Sequence, residues 1–371
     1  MQVLSNARRL TNISFLSSDF HFLISPHISQ NHHFLTGNCS PISHPLYARV
    51  SQLALFSTSG ETAPSDDVKE LHGKIIDLLT VKRSSVPNSW IGTMVTSCRN
   101  RNDIELLFDT LHNLRIFRLS SQHIHKNFNY SLCREVTKAC TRAGALDYGK
   151  KTLSRHNVYG LSPTIGSAHN LLGYAKDHSD TKLMVDILQR MKLNDVALQP
   201  GTADLVFSIC YNSKDWNLIS KCSNKFLKAG VKLRGTAFDL WMDFAAKRGD
   251  VEALWEINNI RSESIKYHSL LSAFSCAKAL ILEGKPGDAA TIVHVLYQAL
   301  PDNKKSDILV QLQRLVGEWP LDVIKHQKED NRKAVAASLK SNIPAMVTDL
   351  TNLGLEVNVN LEDLTTKEIP C

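Results

Sequence analysis

Few residues in this chain stand at spacings that do chemistry. His123 with His125, and His32 with His33, are close pairs, but neither has a third ligand at a workable spacing for a metal. Glu362 and Asp363 adjoin one another, yet the last hundred residues carry no aspartate cluster of the kind two-metal hydrolysis needs. The eight cysteines, Cys39, Cys98, Cys133, Cys140, Cys210, Cys222, Cys276 and Cys371, are scattered and form no C-x-x-C pair. They read as small buried hydrophobes in a reducing compartment, not as a zinc site or a disulfide framework. The expectation is a chain with no catalytic residue, no cofactor, no metal and no small-molecule substrate.

Phosphate binding is the chemistry that the residue types do suit. Lys214, Lys221, Lys225, Lys228 and Lys232 are spaced seven, four, three and four. On a helix they make one stripe opposite the apolar Trp216, Ile219 and Phe226. Arg234 follows directly. Lys150, Lys151 and Arg155 form a smaller group, and Arg115 with Arg118 another. Such cations give affinity for a nucleic-acid backbone without reading its bases; the alternative for each is a solvated helix face. Charge is unevenly spread: residues 81–234 carry net +12, residues 235–371 net −4 and residues 57–80 net −3. A polyanion at the basic part and protein neighbours at the other are expected.

The elements that must hold these residues recur. A small or polar breaker followed by an amphipathic run appears at Asp103, Ala145, Asp180, Asp215, Asp250 and Asp288, in steps of 42, 35, 35, 35 and 38. Each position is read as the start of the second helix of a pair, where aspartate accepts from free backbone N–H groups. Gly249 or Gly287 before it turns the chain between antiparallel helices. Apolar residues repeat at helical spacing in the second helices (Leu183, Ile187, Leu188, Met191) and in the first (Phe238, Leu240, Trp241, Phe244). Pairs with such faces bury them only against neighbouring pairs.

Short exits close the units, as in Gly160-Leu-Ser-Pro-Thr164, Ala197-Leu-Gln-Pro-Gly201 and Ala229–Gly235. With these exits and the 35-residue period, residues 86–305 resemble the pentatricopeptide repeat family; the tetratricopeptide repeat, with its 34-residue period and its own Trp/Gly/Tyr pattern, fits the chain less well. The resemblance implies an all-α fold, a right-handed α-solenoid superhelix of about six helix-turn-helix repeats with a helical C-terminal cap. It also implies that base reading would use one position inside each first helix, here Gly92, Arg134, His169, Asp204 and Asp239. None is the Asn, Ser or Thr usual there, and the exit positions near Thr164, Gln199 and Arg234 are equally irregular, so a base-reading code is not expected.

The first sixty residues hold Arg8, Arg9 and Arg49, no lysine and one acid, Asp19. Acid-poor, arginine-bearing and serine-rich composition marks a mitochondrial transit peptide, the plastid being the other organelle of this kind. Cleavage near Phe56 would leave a mature net charge of +5. The expected organisation is a transit peptide at 1–56, an acidic linker or cap at 57–85, repeats at 86–305, a helical cap at 306–352 and an irregular tail at 353–371. The resemblance then implies a structural protein of the plant mitochondrial ribosome in the matrix, with ribosomal RNA and mitochondrial ribosomal proteins as partners. A free factor acting on one organelle transcript and a protein scaffold without RNA are the two alternatives.

Overall fold

The computed structural model describes residues 63–121, 124–355, 357 and 359–361, and every regular element among them is a helix. The transit-peptide reading of 1–56, the pairs His32/His33 and Glu362/Asp363, and His123, Cys39 and Cys371 lie outside the described residues. The chain divides into two compact units.

The first unit runs through Lys151 and includes His156–Leu161. It contains α1 (Asp66–Thr80), α2 (Asn88–Ser97), α3 (Arg101–Ser121), α4 (Tyr130–Arg142) and α5 (Leu146–Lys151). The stretch 57–85, read as a linker or cap, is helical over 66–80 and buries Val68, Ile75 and Leu79. Asp103 is not a helix start. Asn100 caps α3 by accepting from the Asp103 N–H at 2.9 Å. The Asp103 carboxylate, buried inside the first turn, accepts from Ser65 N at 2.7 Å, Ser65 Oγ at 2.9 Å and Arg99 N at 2.9 Å. Burial works against its charge, but these donors outweigh it and hold its pKa below the usual carboxylate value.

The second unit holds Thr152–Arg155 and everything from Ser162. It comprises α6 (Ile165–Asp177), α7 (Thr181–Leu193), α8 (Pro200–Asn212), α9 (Trp216–Lys228), α10 (Gly235–Arg248), α11 (Val251–Ser264), α12 (Leu270–Leu282) and α13 (Pro286–Ala299). Three C-terminal helices follow: α14 (Asp302–Gly317), α15 (Trp319–His326) and α16 (Glu329–Asn352). Helices α6 and α7, α8 and α9, α10 and α11, and α12 and α13 pack as pairs. The first helices α6, α8, α10 and α12 also pack on one another in succession. Phe207 of α8 meets Phe226 of α9 edge-on at 6.0 Å and Trp241 of α10 at 5.8 Å, so one buried ring joins a pair to its neighbour.

Local hydrogen bonding explains why the pairs start and stop where they do. The first helices α4, α6, α8, α10 and α12 begin after Asn129, Thr164, Gln199, Arg234 and Ser269, each 35 residues from the last. Second helices begin after Ala145, Asp180, Asp215, Asp250 and Lys285, at the same step. Asp180, Asp215 and Asp250 each accept from the N–H three residues on, at 2.9, 2.9 and 3.1 Å. The last step is thus 35 and not 38. Pro286, which lacks an N–H, takes the first helical position, and Asp288 lies inside the first turn. Gly287 is helical for the same reason, and the turn is made by Gly284, at φ +74°.

Each cap residue also donates its own N–H backwards over the turn. Ala145, Asp180, Asp215, Asp250 and Lys285 reach the carbonyls of Cys140, Ala175, Cys210, Ala245 and Leu280 at 2.8–3.1 Å. Closing that bond places the intervening residue, at 144, 179, 214, 249 or 284, in the left-handed region.

The C-terminal helices lie against the turn edge of two pairs. The Trp319 indole donates to Ala246 O at 2.8 Å, Gln327 Nε2 to Arg248 O at 3.0 Å and Asn342 Nδ2 to Ile281 O at 2.9 Å. These are carbonyls of the last turns of α10 and α12; Ala246 O and Ile281 O also accept from the Gly249 and Gly284 N–H groups. A methyl group on Gly249 would stand 2.6 Å from Gln327 Nε2 and 3.1 Å from Val323 Cγ1, whereas Gly284 faces open space. Gly284→Ala should cost about 1–2 kcal/mol for the left-handed backbone alone. Gly249→Ala should cost about 1 kcal/mol more, because it also displaces Gln327. Denaturant unfolding of both variants checks this: equal losses would show that α15 does not brace the turn.

Candidate nucleic-acid interface

Of the lysine stripe, only Lys221, Lys225 and Lys228 lie on α9. At 100° per residue they fall within about 60° of arc, opposite the buried Ile219, Cys222 and Phe226. Lys214 is not part of the helix. It is the left-handed turn residue before the Asp215 cap, at φ +57°, and Lys232 lies in the exit after α9. A single continuous helical stripe is thus corrected to three helical lysines with one lysine flanking each end. All five are exposed, and none has a hydrogen-bond or ion-pair partner among the described residues. With no ion-pair partner among the described residues, their ammonium groups keep their donors for an external anion.

The remaining cations chosen from sequence are engaged. Arg234 precedes α10 and pairs with Asp204 at 3.2 Å, although its side chain stays 63% exposed. Arg155 pairs with Asp195 at 2.6 Å. It does not share a helix with Lys150 and Lys151, because α5 ends at Lys151, and it belongs to the other unit. Lys151 sits over the Tyr148 ring at 4.0 Å, and Lys150 is half-buried. Arg115 is an internal clamp: its guanidinium donates to Lys126 O at 2.8 Å and His125 O at 2.9 Å, fixing the loop before α4. Arg118 lies over Phe128 at 4.6 Å, and burial together with the Arg115 charge lowers its pKa. These two arginines hold the chain together and turn little charge outward.

The positions assigned to base reading are also engaged. His169 Nε2 is 2.9 Å from Thr202 Oγ1 at the start of α8. Asp204 accepts from Thr236 Oγ1 at 2.7 Å at the start of α10, and Asp239 accepts from Ser269 Oγ at 2.5 Å at the start of α12. Each lies five residues past its own helix cap and ties one first helix to the cap region of the next. Burial, then the Arg234 charge, lowers the His169 pKa, so the ring is neutral. The sequence signal for these struts was present but unused: a polar residue every 35, matched to hydroxyls or cap residues 30 to 33 further on. In the first unit the same register position holds Arg134 on α4, which pairs with the adjacent Glu135 at 3.1 Å, and Gly92 on α2, which has no side chain to bridge with. Without a strut, a cavity of about 340 Å³ opens between α2 and α4, lined by Ile91, Gly92, Val95, Asn129, Leu132 and Glu135 among others.

One further polar cluster looks like acid–base machinery. Asp243 of α10 accepts from Tyr211 Oη at 2.5 Å and Lys278 Nζ at 2.9 Å, and it pairs with Lys247 at 3.1 Å; Lys247 also donates to Tyr211. Burial opposes the Asp243 charge, but Lys278 and Lys247 outweigh it and hold the carboxyl at about 2. Burial and Asp243 push Tyr211 up to about 12. Burial disfavours the Lys247 ammonium, yet Asp243 and Tyr211 more than restore it and raise its pKa. No shift moves a member of this cluster toward neutral pH, so it serves as a fixed strut between α8, α10 and α12. His268, driven down to about 3 by burial and by Arg261, is locked in the same sense. The six described cysteines are buried, and none forms a disulfide among the described residues.

The Asp243 carboxyl sits below its ordinary 3.8, so its contribution is complete above that value and vanishes as pH falls through about 2. That contribution is about 2 kcal/mol. Asp243→Asn should therefore flatten the loss of stability between about pH 5 and pH 2. It should also cost about 3–5 kcal/mol at pH 7, because Lys278 is left buried without a counter-charge. Adding Lys278→Met should recover part of that cost, and thermal melting across pH checks all three expectations. Set beside known proteins, the chain matches no protein-family model and no curated protein.

Proposed function

We propose that this protein is a non-catalytic RNA-binding scaffold of the pentatricopeptide kind. In this reading its helix pairs form a right-handed solenoid superhelix of about six repeats, as their 35-residue period suggests. It works in the mitochondrial matrix as a structural component of a plant mitochondrial ribosome. The basic residues between 81 and 234 lie on ribosomal RNA, and the C-terminal part lies against ribosomal proteins.

The observation that carries this reading is the set of five exposed lysines from Lys214 to Lys232, presented without internal partners by one helix and its two flanking turns. A solvated face needs no such concentration of one charge, and like charges this close repel unless an anion lies over them. The engaged His169, Asp204 and Asp239 favour backbone binding over a factor that selects one transcript by its bases.

The test is sedimentation of the native protein with ribosomal subunits, together with salt-dependent binding of single-stranded RNA. Five lysine–phosphate contacts would give a slope of log K against log salt of about −3.5. Lys221→Glu, Lys225→Glu and Lys228→Glu together should abolish measurable binding and release the protein to light fractions. Unchanged association after triple reversal would leave a protein scaffold without RNA as the surviving reading. Strong dependence on RNA sequence would instead support a transcript-specific factor.

A further inference from the structure

The 35-residue period makes the outer faces of successive second helices comparable residue by residue, and their charges differ sharply. On α9 the outer face carries Lys221, Lys225 and Lys228. Moving 35 residues on, Lys221 becomes Glu256 and Lys228 becomes Glu263 on α11, with Glu252 one turn before them. These three glutamates are exposed and fall within about 40° of arc, opposite the buried Leu254, Ile257 and Arg261. The only basic residue within α11 is Arg261, which faces inward and donates to Ile265 O and Tyr267 O; Lys266 follows beyond the helix end.

Moving 35 residues back gives a different face. On α7 the residue in register with Lys221 is Asp186, but it is neutralised by Arg190 at 2.8 Å. Lys182 and Lys192 are exposed on the same helix with no hydrogen-bond or ion-pair partner among the described residues, so α7 turns net positive charge outward. The second helix after α11 is uncharged at the register positions, which hold Thr291 and Gln298.

A polyanion laid on α9 therefore meets attraction on one side and repulsion on the other. We infer that the RNA track extends from α9 onto α7, with Lys182 and Lys192 as further phosphate contacts. Glu256 and Glu263 end the track at α11. This inference rests on the RNA-backbone reading of the α9 lysines. It adds the direction in which the strand leaves them and the residues that stop it. Phosphates crossing onto α11 would face carboxylates within a Debye length, a penalty that falls as salt rises.

The experiment measures binding of an oligouridylate strand to the full chain across a salt series. Glu256→Lys with Glu263→Lys should extend the track by about two phosphates, tightening binding and steepening the slope by about 1.4. Lys182→Glu with Lys192→Glu should weaken binding and make the slope shallower by about as much. All four positions are exposed, and thermal melting verifies that each variant folds. If Lys221→Glu, Lys225→Glu and Lys228→Glu abolish binding while both double variants behave as the unaltered chain, the boundary is overturned and the lysine contact stands. If the triple reversal also changes nothing, both readings fall together.

Discussion

The arrangement depends on one backbone hydrogen bond, made at the turn inside each of the five pairs from α4 and α5 to α12 and α13, from the second helix's cap residue N–H to the carbonyl five residues earlier. Closing that bond forces the residue before the cap into the left-handed region, which costs little for Gly144, Gly249 and Gly284 and more for Ser179 and Lys214. It reverses the chain in the same way each time. Because the turn is rigid, the second helix meets the first at a repeatable place, and one set of apolar positions serves all the pairs. A 35-residue spacing of both helix starts follows from this local chemistry combined with helices of nearly constant length.

Side chains at the inner row are then spent on holding neighbours together. His169, Asp204 and Asp239 bond to the cap region of the following first helix, and Asp243 is clamped by Tyr211, Lys247 and Lys278. Polar groups at these depths are expensive unless satisfied, and each has found a partner on an adjacent first helix. The outer faces of the second helices carry no such burden. Their residues can change charge from one pair to the next, so lysines on α9 give way to glutamates on α11, while the buried Ile219 and Cys222 are matched by Leu254 and Ile257 and the buried Phe226 by Arg261.

Much of this was legible in the sequence, because it is written at short range. Asp180, Asp215 and Asp250 identify themselves as caps by residue type and by spacing, and α15 and α16 fall inside the stretch 306–352 read as helical. The errors arose where a local feature had two readings. In Lys285-Pro-Gly-Asp288 the aspartate drew attention from the proline that sets the helix start. Asp103 has the look of a cap but is a buried acceptor for Ser65, a partner 38 residues away that no local pattern announces. Arg115 and Arg118 read as surface charge, and their roles depend on a loop carbonyl and a ring reached only through tertiary contact.

The site was less legible than the fold, for a physical reason. A helix start is decided by bonds among about four consecutive residues, whereas a cation's availability is decided by whether any acid lies within reach in three dimensions. Lys228 and Arg155 are indistinguishable in sequence as basic residues near the end of a second helix. Arg155 meets Asp195 in the next exit, while the Lys228 ammonium has no hydrogen-bond or ion-pair partner among the described residues. The same 35-residue offset that relates the caps also relates the outer faces, so comparing Lys221 with Asp186 and Glu256 isolates the one variable that packing leaves free. On the outer faces of α9 and α11 that variable reverses sign, from Lys221 and Lys228 to Glu256 and Glu263.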